Sequence, residues 1–274
     1  MLKQLFHING GKAEESVQQV LSVRIGERHF SYAIANRTGT ELYSLAYYTV
    51  DETTGEILAE IFSRHQELHN PFYGVQVSYD HPGSLLVPFQ YHNANSARNL
   101  LDTMYGVTAQ TSVISEAVSE WQLYNVYAVP SDVHDWISRK LPACKYRHNY
   151  TLGVSVMPAS TADRLLIDFN SDDFSFIAVK QGKLLIAQTF SYTTPEDILY
   201  YLLKTCNQFS LSREEVQLMI SGLIEKESQL FRELYQYFLH TDFREPVWRL
   251  PQSGENGYPP HFFTSLNDLA RCES

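Results

Sequence analysis

LSVRIGERHFSYAIA, residues 21–35, reads as two strands folded back at a tight turn, and LLIDFNSDDFSFIAV, residues 165–179, repeats it 144 positions later. With Arg24 set over Asp168, Phe30 falls on Phe174, Ser31 on Ser175 and Tyr32 on Phe176. Leu21, Val23 and Ile25 alternate with Ser22, Arg24 and Gly26, which is the period-two pattern of a half-buried strand. Glu27 to His29 supply the turn, and Phe30 to Ala35 return. An internal repeat is read before anything else, because missing it misreads the whole fold.

Working outward, the turn Asn36-Arg37-Thr38-Gly39 and a Tyr- and Leu-rich strand over 41–50 complete a three-stranded meander. A helical pattern then runs from Gly55 to His69 and stops before Pro71. Residues 75–79 read as a strand, His81-Pro82-Gly83 as a turn, and 95–105 as a helix with Leu100, Leu101 and Met104 on one side. The second repeat has the same order: strands over 165–168, 174–179 and 184–190, then a helix opened by Thr194-Pro195-Glu196-Asp197, with a threonine cap, proline at the first position and an acid three residues after the cap. Ile198, Leu202, Cys206 and Phe209 follow at helical spacing, which makes Cys206 a packing residue. A strand over 216–221 and a helix over 226–239 complete it. Between the repeats, 121–129 reads as a strand, 131–141 as a helix and 150–157 as an apolar stretch. Pro158-Ala159-Ser160-Thr161 marks the domain boundary. We therefore expect an α/β protein of two domains, each with a mixed sheet and flanking helices: residues 1–158 with an insertion at 106–150, and 159–274 ending in a helix near HFFTSLNDLARC. The tail before that helix is proline-rich at Pro251, Pro259 and Pro260.

A chain of 274 residues with 44% hydrophobic content has room for two cores. A net charge of −10 would repel a phosphate backbone, so nucleic acid is not an expected partner. Apolar runs stop far short of the ~18 residues that a membrane span needs, and the N-terminal stretch MLKQLFHINGGKAEE lacks the features of a signal peptide. A cytoplasmic protein is expected. Three cysteines, Cys144, Cys206 and Cys272, show no pairing pattern for a disulfide framework or a zinc ribbon.

Meander, helix, strand, helix, written twice, resembles the duplicated ribonuclease-H-like plan of the actin and sugar-kinase superfamily. Within it the chain is most similar to small bacterial members such as the type IV pilus assembly and divisome actin homologues. More narrowly, it resembles an uncharacterised bacterial family with an actin-like ATPase fold. The likeness covers nearly the whole chain and is best over 164–239. Such proteins grip nucleotide phosphates with their two hairpin turns, where glycine admits close approach and an aspartate organises Mg²⁺ or water. Here each turn has lost one of that pair. The first keeps Gly26 but has Arg24 in the acid's place; the second keeps Asp168 but has Asn170 in the glycine's place, with Asp172 and Asp173 beside it. The superfamily's adenosine-cradling Gly-Gly turn aligns with Ser221-Gly222-Leu223, where one glycine remains.

These departures favour a pseudo-ATPase: a non-catalytic adaptor or scaffold that works through a protein partner or its own copies, with no cofactor expected. The alternatives are a divergent ATPase or small-molecule kinase using ATP and Mg²⁺ with Asp168 as the catalytic acid, and a nucleotide or metabolite sensor that binds in the inter-domain cleft. Arg24 suits direct contact with a phosphate. Partner-binding candidates are the cations Arg139, Lys140, Lys145 and Arg147, gathered in an acidic chain, and Tyr43 and Tyr47, which share one face of the third strand. Those tyrosines, with Tyr48 on the opposite face, suggest exposed or interfacial aromatic surface. His65 and His69 stand one helical turn apart, but the pattern lacks the metal-protease glutamate placement, and His65 aligns with Phe209 on the packing stripe. It reads as a structural histidine, with no metal expected. No GxSxG marks a serine nucleophile.

Overall fold

The structure is a computed structural model, and it describes residues 1–9, 18–106, 108–157, 162–248 and 257–272. The Pro158–Thr161 boundary and Pro251 lie outside the described residues. Strands β1 (Leu2–Asn9), β2 (Gln19–Gly26), β3 (His29–Asn36) and β4 (Leu42–Val50) come first. After Asn36 the chain reverses through Gly39 at φ +66°, while Asn36 Oδ1 accepts the backbone N–H groups of Thr40 and Glu41. Helix α1 (Gly55–Arg64) is capped by Thr54, whose hydroxyl accepts Ile57 N–H, and it buries Leu58, Ile61 and Phe62. Next come β5 (Gly74–Asp80), β6 (Ser84–Pro88), α2 (Ala97–Tyr105), β7 (Thr111–Val118), β8 (Leu123–Pro130), α3 (Ser131–Lys140), β9 (Lys145–His148) and α4 (Asn149–Ser155). They form one six-stranded sheet in the order β1-β4-β3-β2-β5-β9 and a separate three-stranded sheet, β6-β8-β7.

The second series is β10 (Arg164–Phe169), β11 (Asp173–Lys180), β12 (Lys183–Ser191), α5 (Pro195–Phe209), β13 (Gln217–Gly222), α6 (Gln229–Tyr237), β14 (His240–Phe243) and α7 (Thr264–Arg271). Its sheet runs β12-β11-β10-β13-β14, the order β4-β3-β2-β5-β9 of the first. In both, the meander is antiparallel and the two further strands are parallel. Thr194 and Asp197 make the expected capping box of α5, with proline at its start. Contacts divide the chain into one unit of Met1–Leu152, Val247–Asn256 and Leu266–Ser274 and another of Gly153–Pro246 and Gly257–Ser265. The first packs Leu21, Val23 and Ile25 of β2 against Leu58, Ile61 and Phe62 of α1 and Val133 and Ile137 of α3. The second packs Leu165 and Ile167 against Ile198, Leu202 and Cys206 of α5. None of the described helices is long and apolar enough to cross a membrane.

Several expectations change. The elements without a counterpart lie between Ser84 and Pro130, beginning upstream of the expected 106–150 insertion and ending inside it, because α3, β9 and α4 continue the repeat as α6, β14 and α7 do. β2 is buried on both faces rather than one, since Ser22 and Arg24 on its polar side are as covered as its apolar residues. The helix expected over 55–69 ends at Arg64; His65 takes an extended conformation and a 3₁₀ turn, Gln66–His69, follows, so His65 and His69 are not on successive turns of one helix. On α2 only Leu101 of the apolar trio is buried, against Val126 and its neighbours on the three-stranded sheet, while Leu100 and Met104 face out.

Candidate functional site

The β2–β3 turn holds the first candidate. β2 ends at Gly26 and β3 begins at His29, with Arg24 paired across to Ser31 and, on the other side, parallel to Ser78 of β5. That register brings Asp80, two residues beyond Ser78, to the level of Gly26. Arg24 donates to Asp80 Oδ2 from Nε at 3.0 Å and from Nη2 at 2.5 Å, and His29 Nε2 lies 3.1 Å from the same oxygen. Ser78 Oγ donates to the other oxygen at 3.3 Å. The Arg24 and Asp80 side chains are only 4% and 2% exposed, so this is a buried, hydrogen-bonded ion pair. Burial alone would raise the Asp80 carboxyl, but the Arg24 charge and the His29 hydrogen bond outweigh it and hold the group well below the usual carboxylate range.

Gly26 is the residue that a phosphate-binding turn must leave bare. Here the His29 imidazole rests on it: a Cβ built at Gly26 would lie 2.2 Å from His29 Cε1. The ring is kept there by its bond to Asp80 and by stacking on Tyr47 at 5.9 Å between centroids and 12° between planes. Glycine therefore does allow close approach at this turn, but what approaches is the protein's own imidazole. Behind the pair, burial pushes His81 and His148 down to about 4. His148 is fixed as the Nε2–H tautomer, donating to His81 O at 2.9 Å while its Nδ1 accepts Tyr150 N–H.

In the second hairpin, Asp168 Oδ1 accepts a 2.7 Å hydrogen bond from Ser221 Oγ on the neighbouring parallel strand. Asn170 folds over the turn, its backbone N–H donating to Asp173 O at 2.9 Å and its Nδ2 to Asp173 Oδ1 at 2.7 Å. Tyr192 Oη donates to Asn170 O at 3.1 Å. Gly222, at φ +85°, lies so close to β10 that a Cβ would sit 2.1 Å from Phe169 O, and Leu223 N–H donates to that oxygen at 2.8 Å. The Ser221-Gly222 pair is thus engaged in closing β13 onto β10.

The cation cluster splits. Arg147 Nη1 donates to Glu116 Oε1 of β7 at 3.1 Å, and His148 N–H donates to Oε2 at 2.9 Å; burial nevertheless raises the Glu116 carboxyl. Lys145 is exposed at the start of β9. Arg139 and Lys140 end α3, where cations suit the helix dipole, and with Ala59, Phe62, His69 and Trp136 they line a groove of about 430 Å³ along α1 and α3. Phe62 and Trp136 meet edge to face at 4.8 Å, and Lys140 Nζ lies 5.9 Å above the Phe62 ring and 3.0 Å from His69 Nδ1. The tyrosine strand is not an edge, because β1 pairs along its outer side from Leu2↔Val50 to Asn9↔Ser44. Tyr47 is buried, between Phe6 of β1 and His29, and Tyr48 lies in the core; Tyr43 is half-buried in a polar depression beside Gln19, Asn36 and Arg37.

Sequence reasoning missed Asp80 and His29, the partners of Arg24, because the first is 56 residues away and meets Arg24 only through the parallel register of β2 and β5. Arg24 in the acid's place was the available signal, and once β2 is seen to be buried on both faces such an arginine requires an acid nearby. β1, and with it His7, also escaped notice.

A family model described as "Protein of unknown function (DUF3822)" matches residues 10–241. A search of curated proteins returns no match. Among solved structures, a Bacteroides thetaiotaomicron protein described as having an actin-like ATPase fold and unknown function superposes with TM-score 0.74 at 18% identity, covering 86% of this chain and 94% of its own. A chain of the PilM–PilN type IV pilus biogenesis complex gives TM-score 0.62 at 13% identity, covering 94% of this chain and 99% of its own. At these identities the likeness establishes the fold, and the chain has the actin-like ATPase fold.

Proposed function

The chain belongs to the DUF3822 family of proteins of unknown function, and we propose that it is an actin-like protein that works by holding a protein partner and does not hydrolyse ATP. One observation carries this reading: the first phosphate turn is filled by the protein's own groups, with the His29 ring against Gly26 and the Arg24 charge already matched by buried Asp80. A phosphate entering there would have to displace the imidazole and compete with a carboxylate for the guanidinium. The second turn supports the reading, because Asn170 uses its backbone and side chain on Asp173.

The groove along α1 and α3 is the surface for the partner. In a chain of net charge −10, Arg139 and Lys140 stand at the rim of an aromatic floor made by Phe62 and Trp136. That combination fits a short acidic segment with one apolar side chain: the anchor would fill the groove and the acids would meet the rim. A synthetic acidic peptide with one central phenylalanine should change Trp136 fluorescence in a saturable way that weakens as salt rises. Reversing Arg139 and Lys140 to glutamate should abolish the change and lower the melting temperature by only a few degrees, since both side chains are exposed and each acid at the helix C-terminus costs about 0.3–1 kcal/mol. Equal binding by the reversed variant would rule out the groove. Steady Mg²⁺-dependent ATP hydrolysis, lost in Asp168→Ala, would overturn the non-catalytic reading itself.

A further inference from the structure

His65 terminates α1 by turning extended, at φ −121° and ψ 93°, and its ring enters a polar cluster away from the closed hairpin. Tyr32 Oη lies 2.8 Å from His65 Nδ1 and 2.6 Å from Glu67 Oε1, and those two atoms are 3.0 Å apart. On the exposed side, His7 of β1 sets its ring edge-on to His65, with centroids 5.3 Å apart. One ligand atom each from His7, His65 and Glu67 fall within 4.8 Å of one another. Bonds of about 2.1 Å place neighbouring ligands about 3.0 Å apart in an octahedron and about 3.4 Å apart in a tetrahedron. The His65–Glu67 edge already has that length, and His7 needs only a small movement of an exposed side chain to close the set.

We propose that His7, His65 and Glu67 form a site for one divalent transition-metal ion, held by His65 through Nδ1 and Glu67 through Oε1. Two imidazoles and a carboxylate suit zinc(II) and its neighbours rather than magnesium or calcium. The surroundings of His65 support this assignment. With a metal on Nδ1 the ring proton resides on Nε2, which donates to Tyr48 Oη at 2.6 Å, and Tyr48 Oη in turn donates to Gln4 Oε1 at 2.7 Å. Each contact in that chain then has one donor and one acceptor, as the outer partners of a metal-bound histidine require. The ligands come from β1, from the residue that ends α1 and from the 3₁₀ turn after it, so the ion would pin the outer strand of the first sheet to the end of α1. Exposure of His7 leaves the remaining coordination positions to water.

The test is titration of the metal-free full chain with zinc(II), followed by melting temperature, and with cobalt(II), followed by its visible absorption. One equivalent should bind, raise the melting temperature and give cobalt bands of nitrogen–oxygen coordination. His7→Ala, which removes an exposed side chain and should melt like the parent without metal, should weaken zinc binding at least about tenfold, and Tyr48→Phe by about ten- to a hundredfold through loss of the outer hydrogen bond. Absence of a zinc-dependent shift would mean that the cluster is a hydrogen-bond network alone. Undiminished binding by His7→Ala would place the metal on other histidines, and either result overturns the site.

Discussion

Replacing Asp80 with asparagine tests whether the first hairpin is closed in the way described. The substitution keeps the shape but removes the negative charge that receives Arg24 Nε and Nη2 and faces His29 Nε2. The guanidinium, 4% exposed, would then be a buried cation without its carboxylate, and breaking such a pair from one side costs about 3–5 kcal/mol. At about 2–4 °C per kcal/mol for a domain of this size, melting should fall by about 6–20 °C. Replacing both partners with apolar residues, Arg24→Met with Asp80→Leu, should recover most of that loss, because a buried ion pair costs desolvation that well-packed side chains do not. The assay is thermal unfolding of the parent, Asp80→Asn and the double variant by near-ultraviolet circular dichroism, which reports the aromatic residues around His29. A melting temperature for Asp80→Asn within about 2 °C of the parent would mean that Arg24 is hydrated, leaving the turn open to a ligand and refuting the closed-hairpin argument.

Three further outcomes follow. Gly222→Ala should lower the urea midpoint by more than about 2 kcal/mol equivalent, because its Cβ would meet Phe169 O at 2.1 Å, whereas Gly106→Ala, with φ +64° and nothing within 4 Å, should cost only about 1–2 kcal/mol. Stability should fall on acidification: His81 and His148 are held to about 4 in the folded chain against an ordinary 6.5, so the unfolded chain binds protons that the native one refuses. The loss begins below about pH 6.5 and reaches about 3 kcal/mol for each histidine near pH 4, and a urea midpoint unchanged between pH 7.5 and 4.5 would contradict it. Binding of the acidic peptide at the groove of α1 and α3 should fall as ionic strength shortens the Debye length below about 10 Å, read by Trp136 fluorescence.

The duplicated meander was legible because its signals are local: alternation over 21–35 and 165–179, the Asn36–Gly39 turn, and the Thr194–Asp197 cap all form within a few residues. The sequence misled where pairing is remote. β1 alternates weakly, and only its pairing with β4 removes Tyr47 from the surface. The Ser84–Pro130 segment hid the correspondence of α3 with α6, because it separates β5 from the helix that continues the repeat. Arg24 was visible as a departure from the superfamily pattern, but its meaning required Asp80, which only the parallel register of β2 and β5 supplies. His65, read as a structural histidine on the packing stripe, is buried, while Tyr32 and His7 meet it through tertiary contacts that no spacing encodes.

The most direct test of the central claim is the melting temperature of the purified chain with Mg·ATP at increasing concentration. A ligand of the folded state at a hundred times its Kd adds about 2.7 kcal/mol, or about 5–11 °C here. No shift is expected, because the first turn holds His29 and the second is spanned by Asn170. A saturable rise of several degrees that requires Mg²⁺ and is lost in Asp168→Ala would contradict it.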